Sequence, residues 1–211
     1  MIRAVLFDFG GVITTSPFEA FDRFERREAL PVGFLRRVNA TDPDGNAWAR
    51  LERGELGIDD FSEVFAAESA DLGHRVDGRD VLGLLQGDVR PAMVEAVRRC
   101  SEAFATACLT NNFGTEDLPI RPELAEILEL FDLVLESRVL GIRKPDPAFY
   151  ALACQRLDVA PDEAVYLDDL GINLKPARAM GMQTIKVTSW EEALSELSAV
   201  TGLPFGTPQG R

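Results

Sequence analysis

Short apolar runs that end in polar residues recur along the chain, and this pattern indicates buried parallel strands. The first run is Ala4-Val5-Leu6-Phe7, which leads into Asp8 and then into Gly10-Gly11. Four further runs have the same form, at residues 104–109, 131–135, 164–167 and 184–187. Each of these runs predicts a strand whose carboxyl end carries polar side chains.

Helical patterns lie between the later runs. Apolar residues at helical spacing follow Pro91 and Pro122. Asp146-Pro147, and Ser189 with Glu192, predict the amino-terminal caps of two more helices. The alternation of strand and helix predicts an α/β fold with a doubly wound, Rossmann-like parallel sheet, for which we expect the strand order 3-2-1-4-5.

The interval between the first two predicted strands, about 95 residues, is longer than a simple crossover needs. It contains amphipathic stretches without strand-like alternation, broken at residues 42–45 and 54–57. We therefore predict a core domain of residues 1–15 and 89–211, with an inserted all-helical cap domain of residues 16–88. Ligands of such sheets bind outside the carboxyl ends of the strands, so the insertion should lie over the polar strand ends.

Composition narrows the classes of partner. The 211 residues are 46% hydrophobic and 27% charged, which is typical of a globular protein. A net charge of −13 argues against nucleic acid and anionic membranes as partners, because both attract basic proteins. The absence of a signal-like or membrane-spanning segment, together with three cysteines that have no CxxC spacing, predicts a cytoplasmic protein with reduced thiols. The composition makes no prediction of oligomeric state.

Candidate chemistry is restricted by what the chain lacks. It has one histidine, His74, and neither a glycine-rich nucleotide loop nor a serine-hydrolase motif. Polar groups stand at the predicted strand ends or in the loops after them, at Asp8, Thr110-Asn111, Lys144 and Asp168-Asp169. The adjacent carboxylates at residues 168 and 169 are costly at a buried strand end unless a cation offsets their repulsion. Oxygen ligands of this kind suit Mg²⁺.

Four segments, FDFGGVI, LTNN, RKPDP and YLDDLGIN, resemble in order and spacing the four motifs of the haloacid dehalogenase superfamily. Within it, the stretch from Tyr166 to Arg178 particularly resembles the phosphatase domain at the amino end of mammalian soluble epoxide hydrolase. The resemblance extends over the whole chain. It implies a phosphohydrolase with a cap over its active site.

The resemblance implies a role for each carboxylate. Asp8 would be the nucleophile, which forms an aspartyl-phosphate that water later hydrolyses. Asp8, Asp169 and the Gly10 carbonyl would bind Mg²⁺ directly, and Asp168 would bind it directly or through water. Asn173 would brace these carboxylates.

The remaining motif residues would hold the phosphate. The Thr110 hydroxyl and the Asn111 amide can donate hydrogen bonds to its oxygens, and Lys144 can place a positive charge against it and the nucleophile. In the family the bond between this lysine and the following proline is often cis. We expect only structural roles for three neighbours: Asn112 in a turn, Asp146 as a helix cap, and Arg143 as a surface charge.

Gly10 departs from the family pattern. Most phosphatases of the superfamily have a second aspartate here, two residues after the nucleophile, which protonates the leaving oxygen and activates water. General acid–base help of this kind contributes about 10²–10⁴-fold to the rate. We therefore expect a preference for good leaving groups.

The leading hypothesis is a Mg²⁺-dependent phosphohydrolase that acts on a small phosphorylated metabolite. One alternative is a metal-free 2-haloacid dehalogenase, against which the Asp168-Asp169 pair argues. Another is a non-catalytic module that binds a phosphorylated ligand or a protein. In the insertion, Glu52 lies near a turn at Gly54 that could face the active site, Trp48 is expected in the core, and His74 is expected to be exposed.

Overall fold

A five-stranded parallel sheet forms the centre of the fold. The computed structural model describes residues 1–85, 87–111 and 120–205. The strands are β1 (Ala4–Phe7), β2 (Ala105–Thr110), β3 (Leu133–Glu136), β4 (Ala164–Asp168) and β5 (Gln183–Lys186). Their order is β3-β2-β1-β4-β5, which confirms the predicted order.

The central strand β1 sets the relative positions of the polar strand ends. Phe7 pairs with Cys108 of β2 on one side and with Leu167 of β4 on the other. Asp8 follows Phe7 directly, as Asp168 follows Leu167. Because the strands are parallel, the two carboxylates stand at the same edge of the sheet.

Strand boundaries differ from the prediction by one or two residues. The run 131–135, for example, contains β3 only from Leu133 onward. Phe131 lies in the preceding turn, where its ring packs edge-on against Phe7 with a centroid separation of 5.8 Å. A buried turn residue is as apolar as a strand residue, so the hydrophobic pattern does not distinguish the two.

The described residues contain eleven α-helices and one 3-10 turn, Pro161–Glu163. The helices are α1 (Pro17–Arg27), α2 (Phe34–Ala40), α3 (Ala47–Glu52), α4 (Ile58–Asp71), α5 (Gly78–Gly83), α6 (Pro91–Ser101), α7 (Pro122–Leu128), α8 (Ser137–Leu140), α9 (Pro147–Leu157), α10 (Gly171–Ala179) and α11 (Trp190–Thr201). The predicted caps are confirmed, because the side chains of Asp146 and Ser189 accept hydrogen bonds from backbone N–H groups of α9 and α11. Within the described ranges, none of these helices has the length and apolar character needed to cross a membrane.

Apolar clusters cover both faces of the sheet, because successive residues of β1 point to opposite sides. Val5 and Phe7 pack in one cluster with Met93 of α6. Leu6 packs in the other cluster with Phe149 of α9. The cysteines are buried free thiols within these clusters, as expected of small packing residues.

Helices α1 to α5 share a third apolar cluster, whose residues all lie between Phe18 and Leu85. The two predicted breaks separate α2 from α3 and α3 from α4. Where the chain leaves the sheet and returns to it, Thr14 and Val89 form an antiparallel bridge. These helices occupy most of the interval predicted to be a cap.

The division into domains remains our proposal. It assigns residues 1–15 and 89–211 to an α/β core and residues 16–88 to a helical cap.

Candidate active site

The predicted site residues meet around the amino group of Lys144, at the carboxyl edge of the sheet. Lys144 Nζ lies 2.7 Å from Asp8 Oδ1 and 3.1 Å from Asp168 Oδ2. It also donates a hydrogen bond of 2.8 Å to the Leu109 carbonyl. Asp8, Asp168 and Asp169 each offer a carboxylate oxygen within 4.8 Å of the other two. Groups from separate parts of the sequence thus form one cluster.

Lys144 places its amino group inside this cluster of carboxylates. Its side chain is only 2% exposed. Burial by itself would lower the pKa of Lys144, but the carboxylates of Asp168 and Asp8 outweigh burial and raise this pKa above its ordinary value. The peptide bond between Lys144 and Pro145 is cis, as the family resemblance implied.

Asp8 follows β1 and is almost fully buried. Its Oδ1 atom accepts a hydrogen bond of 2.6 Å from the Phe9 N–H, in addition to the contact with Lys144. Burial raises the pKa of Asp8, the charge of Lys144 opposes this rise, and the neighbouring carboxylates of Asp168 and Asp169 add to it. The two contacts on Oδ1 fix the orientation of the carboxylate.

Asp168 is fully buried, and protein donors occupy both of its oxygens. The Leu170 N–H donates to Oδ1 at 2.7 Å, and Asn173 Nδ2 lies 3.2 Å and 3.0 Å from Oδ1 and Oδ2. Oδ2 also accepts hydrogen bonds from Lys144 and the Tyr166 hydroxyl. The bracing contact expected of Asn173 is therefore present, and it is made to Asp168. Direct metal binding by Asp168 would have to compete with these donors.

Sequence reasoning missed Tyr166 as part of the site. A signal was available, because Tyr166 stands two residues before Asp168 in β4 and therefore on the same face of the strand. A second tyrosine, Tyr150, stacks edge-on against Tyr166 and donates a hydrogen bond of 2.7 Å to the Asn173 carbonyl. The two rings form the buried support beneath Asp168.

Asp169 contacts the loop that follows β1. Its Oδ2 atom accepts a hydrogen bond of 3.1 Å from the Ser16 hydroxyl, a contact for which the sequence offered no signal. Burial raises the pKa of Asp169 to about 6, and the adjacent charge of Asp168 adds to this rise. A cation beside these carboxylates would offset both effects.

Gly10 stands in open space. A Cβ atom at this position would have no heavy atom within 4 Å, and its φ is not in the left-handed region. Neither packing nor backbone conformation therefore requires glycine here. The shape of the loop therefore does not explain why glycine stands here in place of the usual aspartate.

Thr110 ends β2, is buried and lines a cavity at the edge of the sheet. The carboxamide of Asn111 binds the backbone of Lys144: Oδ1 accepts from the Lys144 N–H at 2.9 Å, and Nδ2 donates to its carbonyl at 3.0 Å. Asn111 therefore ties the end of β2 to the segment that carries Lys144. Phosphate binding by Thr110 and Asn111 stays a prediction, and Asn112 lies outside the described residues.

The prediction that Arg143 is a surface charge was wrong. Its Nε atom lies 3.1 Å from Oε2 of Glu52, and the two side chains are only 16% and 6% exposed. A terminal nitrogen of Arg143 also donates to the Pro43 carbonyl at 3.2 Å. Both partners belong to the inserted helical region, far away in sequence, so no local pattern could have revealed them.

The Gly54 turn packs against the core close to the cavity. A Cβ atom on Gly54 would lie 2.8 Å from the Arg138 carbonyl oxygen, and its φ is +74°, so glycine permits this approach. Trp48 packs edge-on against Phe61 with ring centroids 5.5 Å apart, which agrees with the expected core position. His74 is exposed, as expected.

A cavity of about 210 Å³ lies between the sheet edge and the inserted helices. One end is polar and is lined by Asp8, Thr110, Lys144 and Asp169. Most of the remaining wall is apolar and includes Phe18, Leu51, Ile58, Leu82, Leu85 and Leu124. The arrangement can receive a molecule with one anionic end and an apolar body.

The donor set at the polar end fits Mg²⁺. Asp8 and Asp169 supply carboxylate oxygens, and Gly10, which also lines the cavity, has a backbone carbonyl. Oxygen ligands with room left for water and phosphate are typical of protein-bound Mg²⁺. Burial and, after it, the charge of Asp168 raise the pKa of Asp169, and a divalent cation beside this carboxylate would oppose both.

The chain is similar to known proteins over nearly all of its length. It is 36% identical to acyl-CoA dehydrogenase family member 10 and 31% identical to bifunctional epoxide hydrolase 2, both of Mus musculus, with 99% and 97% of this chain covered. It spans only 20% and 40% of the lengths of these two relatives. It is also 24% identical to a sesquiterpene phosphatase of Aspergillus oryzae, over 95% of this chain and 97% of that protein.

Solved structures share the fold. A HAD family enzyme from Bacteroides thetaiotaomicron, in complex with magnesium and inorganic phosphate, matches with a TM-score of 0.60 and 17% identity, over 91% of this chain and 98% of that one. The sequence profile of haloacid dehalogenase-like hydrolases matches residues 2–181, which contain strands β1 to β4 and the whole candidate site. The chain therefore belongs to the haloacid dehalogenase-like hydrolases.

Proposed function

We propose that this protein is a Mg²⁺-dependent phosphohydrolase that acts through an aspartyl-phosphate on Asp8. The observation that carries the proposal is the contact of 2.7 Å between Lys144 Nζ and Asp8 Oδ1 at the polar end of the cavity. A nucleophilic carboxylate must be ionised and oriented, and the charge of the attacked phosphate must be offset. A buried lysine beside the carboxylate supports both requirements.

Two displacements at phosphorus account for hydrolysis. Asp8 attacks through Oδ2, because its contacts with Lys144 and the Phe9 N–H are both made by Oδ1. The bond from phosphorus to the ester oxygen breaks, and that oxygen leaves with the electron pair and takes a proton from water. The water that gave up this proton remains as hydroxide. A second water then attacks the phosphorus of the aspartyl-phosphate, which releases the Asp8 carboxylate and inorganic phosphate. The proton lost by the second water neutralises the hydroxide.

The neighbouring residues hold the phosphoryl group during both steps. Lys144 supplies a fixed charge, and the Thr110 hydroxyl, at the same end of the cavity, donates to a phosphate oxygen. Mg²⁺, held by Asp8, Asp169 and the Gly10 carbonyl, would neutralise part of the phosphate charge. Asp168 serves mainly to hold Lys144 in place, since protein donors already occupy its oxygens.

The walls of the cavity support a substrate with a compact apolar organic group. Apolar side chains of the wall can pack against a hydrocarbon group but not favourably against a strongly hydrated sugar. These side chains include Phe18, Leu51, Ile58 and Leu82. The name of the Aspergillus relative, a sesquiterpene phosphatase, agrees with a substrate of this kind.

Phosphate release from acyl, aryl, sugar and prenyl phosphates, with Mg²⁺ or with a chelator, tests the proposal. We expect release only with Mg²⁺, and Asp8→Asn should lower it about 10³-fold or more while the protein stays folded. Asp77→Asn is the matched control, because Asp77 caps α5 away from the site and asparagine caps a helix equally well.

Two outcomes would replace this function by another. Chloride release from 2-chloropropionate without added metal would identify a dehalogenase. Binding of inorganic phosphate, with no turnover of any compound in the panel, would identify a binding module.

A further inference from the structure

One buried carboxylate of the inserted helices, that of Glu52 at the end of α3, reaches the edge of the sheet. Its Oε1 atom accepts a hydrogen bond of 2.9 Å from Trp48 Nε1 of the same helix. Its Oε2 atom faces the core, 3.1 Å from Arg143 Nε and 3.3 Å from Asn111 Nδ2. A single side chain of the insertion therefore contacts two separate segments of the core.

Both core partners of Glu52 adjoin Lys144. Arg143 precedes it in the chain, and Asn111 binds its backbone N–H and carbonyl at 2.9 Å and 3.0 Å. Movement of either partner would move the ammonium group that lies 2.7 Å from Asp8. A displacement of about 1 Å in an active site can cost 10²-fold in rate.

The backbone of the same residue strengthens this connection. The buried Ser137 hydroxyl lies 2.5 Å from the Glu52 carbonyl and 3.0 Å from the Asn111 carbonyl. Arg143 also reaches the Pro43 carbonyl of the insertion. The end of α3 is thus joined to the core by directional polar contacts, which specify one relative placement more strictly than apolar packing does.

We propose that Glu52 is a positioning residue that couples the docking of the helical insertion to the placement of Lys144 beside Asp8. The proposal rests on the proposed function in so far as Lys144 serves phosphoryl transfer. Glu52 acts through Asn111 and Arg143. Its carboxylate accepts hydrogen bonds from Trp48 and Asn111 and forms an ion pair with Arg143, and its negative charge would repel a phosphate.

The test compares Glu52→Gln with Glu55→Gln. Glu55 stands three residues further on, is exposed, and pairs with Arg53 and Arg50 at the surface, so its change is the matched control. We expect Glu52→Gln to lower kcat about tenfold with little change in KM, and Glu55→Gln to behave as wild type. We also expect faster hydrogen exchange of the Lys144 amide in Glu52→Gln only, because that amide donates to Asn111.

A second variant replaces Arg143, the ion-pair partner of Glu52 in the core. Arg143→Met should reproduce the loss of kcat, and the double variant should be no worse than either single variant if the two residues act as a unit. If Glu52→Gln fails to fold, the same measurements are made on Arg143→Met instead.

Three results would overturn the proposal. A rise in KM at constant kcat would make Glu52 a substrate ligand. A lower melting temperature, with unchanged kcat per folded molecule and unchanged exchange at Lys144, would make it a purely structural residue. If the wild-type protein releases no phosphate, the proposed function fails, and hydrogen exchange still tests the coupling. Equal exchange rates of the Lys144 amide in Glu52→Gln and Glu55→Gln would then reject the coupling as well.

Discussion

Asp169 lies so close to Gly11 that a Cβ atom on Gly11 would come within 2.2 Å of its Oδ2 atom. The φ of Gly11 is +79°, which L-residues with a side chain rarely adopt. The loop after β1 is therefore fitted against the carboxylate that follows β4. This contact and the hydrogen bond from Ser16 hold Asp169 from the same loop.

Gly11→Ala should disturb both the fold and the metal site. We expect it to lower the free energy of unfolding by more than about 1 kcal/mol, because the added methyl group meets Asp169 and the backbone conformation is unfavourable. Urea denaturation and Mg²⁺ titration would measure the two effects. Gly10→Ala is the control and should be close to neutral, since its Cβ has open space. Equal losses in both variants would contradict this account.

Mg²⁺ binding should weaken in acid. The pKa of Asp169 is raised to about 6 by burial and by Asp168, so the carboxyl is protonated below that pH and the ion must displace a proton. We expect the dissociation constant for Mg²⁺ to rise about tenfold for each pH unit below 6 and to level off above pH 7. Burial raises the pKa of Asp8 as well, which acts in the same direction.

Calorimetric titration between pH 5 and 8 would measure the slope, with Asp169→Asn as the comparison. An affinity independent of pH over this range would show that Asp169 is not a ligand.

Gly10→Asp should restore a general acid. Without one, the rate should fall steeply as the pKa of the leaving group rises, and the variant should flatten this dependence. The first atom of the new side chain is accommodated, because a Cβ atom there meets nothing within 4 Å. Single-turnover rates over a series of aryl and alkyl phosphates would measure the slope. A shallow slope in the wild type would mean that another group already donates the proton.

Tyr166→Phe should cost more stability than Tyr150→Phe, although both remove one buried hydroxyl. The Tyr166 hydroxyl donates to the Asp168 carboxylate, whereas that of Tyr150 donates to the neutral Asn173 carbonyl. Hydrogen bonds to charged groups contribute about 1.5–3 kcal/mol, compared with about 0.5–1.5 kcal/mol for neutral pairs. Urea denaturation of the two variants would compare them, and equal losses would contradict the prediction.

The sequence by itself determined the elements and their order. Apolar runs that end in polar residues, helical spacing behind prolines, and local caps such as Asp146 are all properties of neighbouring residues. In parallel sheets the strand ends share one edge, so the position of Asp8, Lys144 and Asp168 near one another followed from the pattern. Strand boundaries were less accurate, because Phe131 is as apolar as the strand that follows it.

Only the tertiary structure decided which partner each buried polar group has. Arg143 was assigned to the surface because the charge that balances it, Glu52, comes from a helix far away in sequence. Asn111 binds the Lys144 backbone, Ser16 binds Asp169, and no spacing rule reveals either contact. A buried charge or amide needs a partner, but the identity of that partner depends on how distant segments pack.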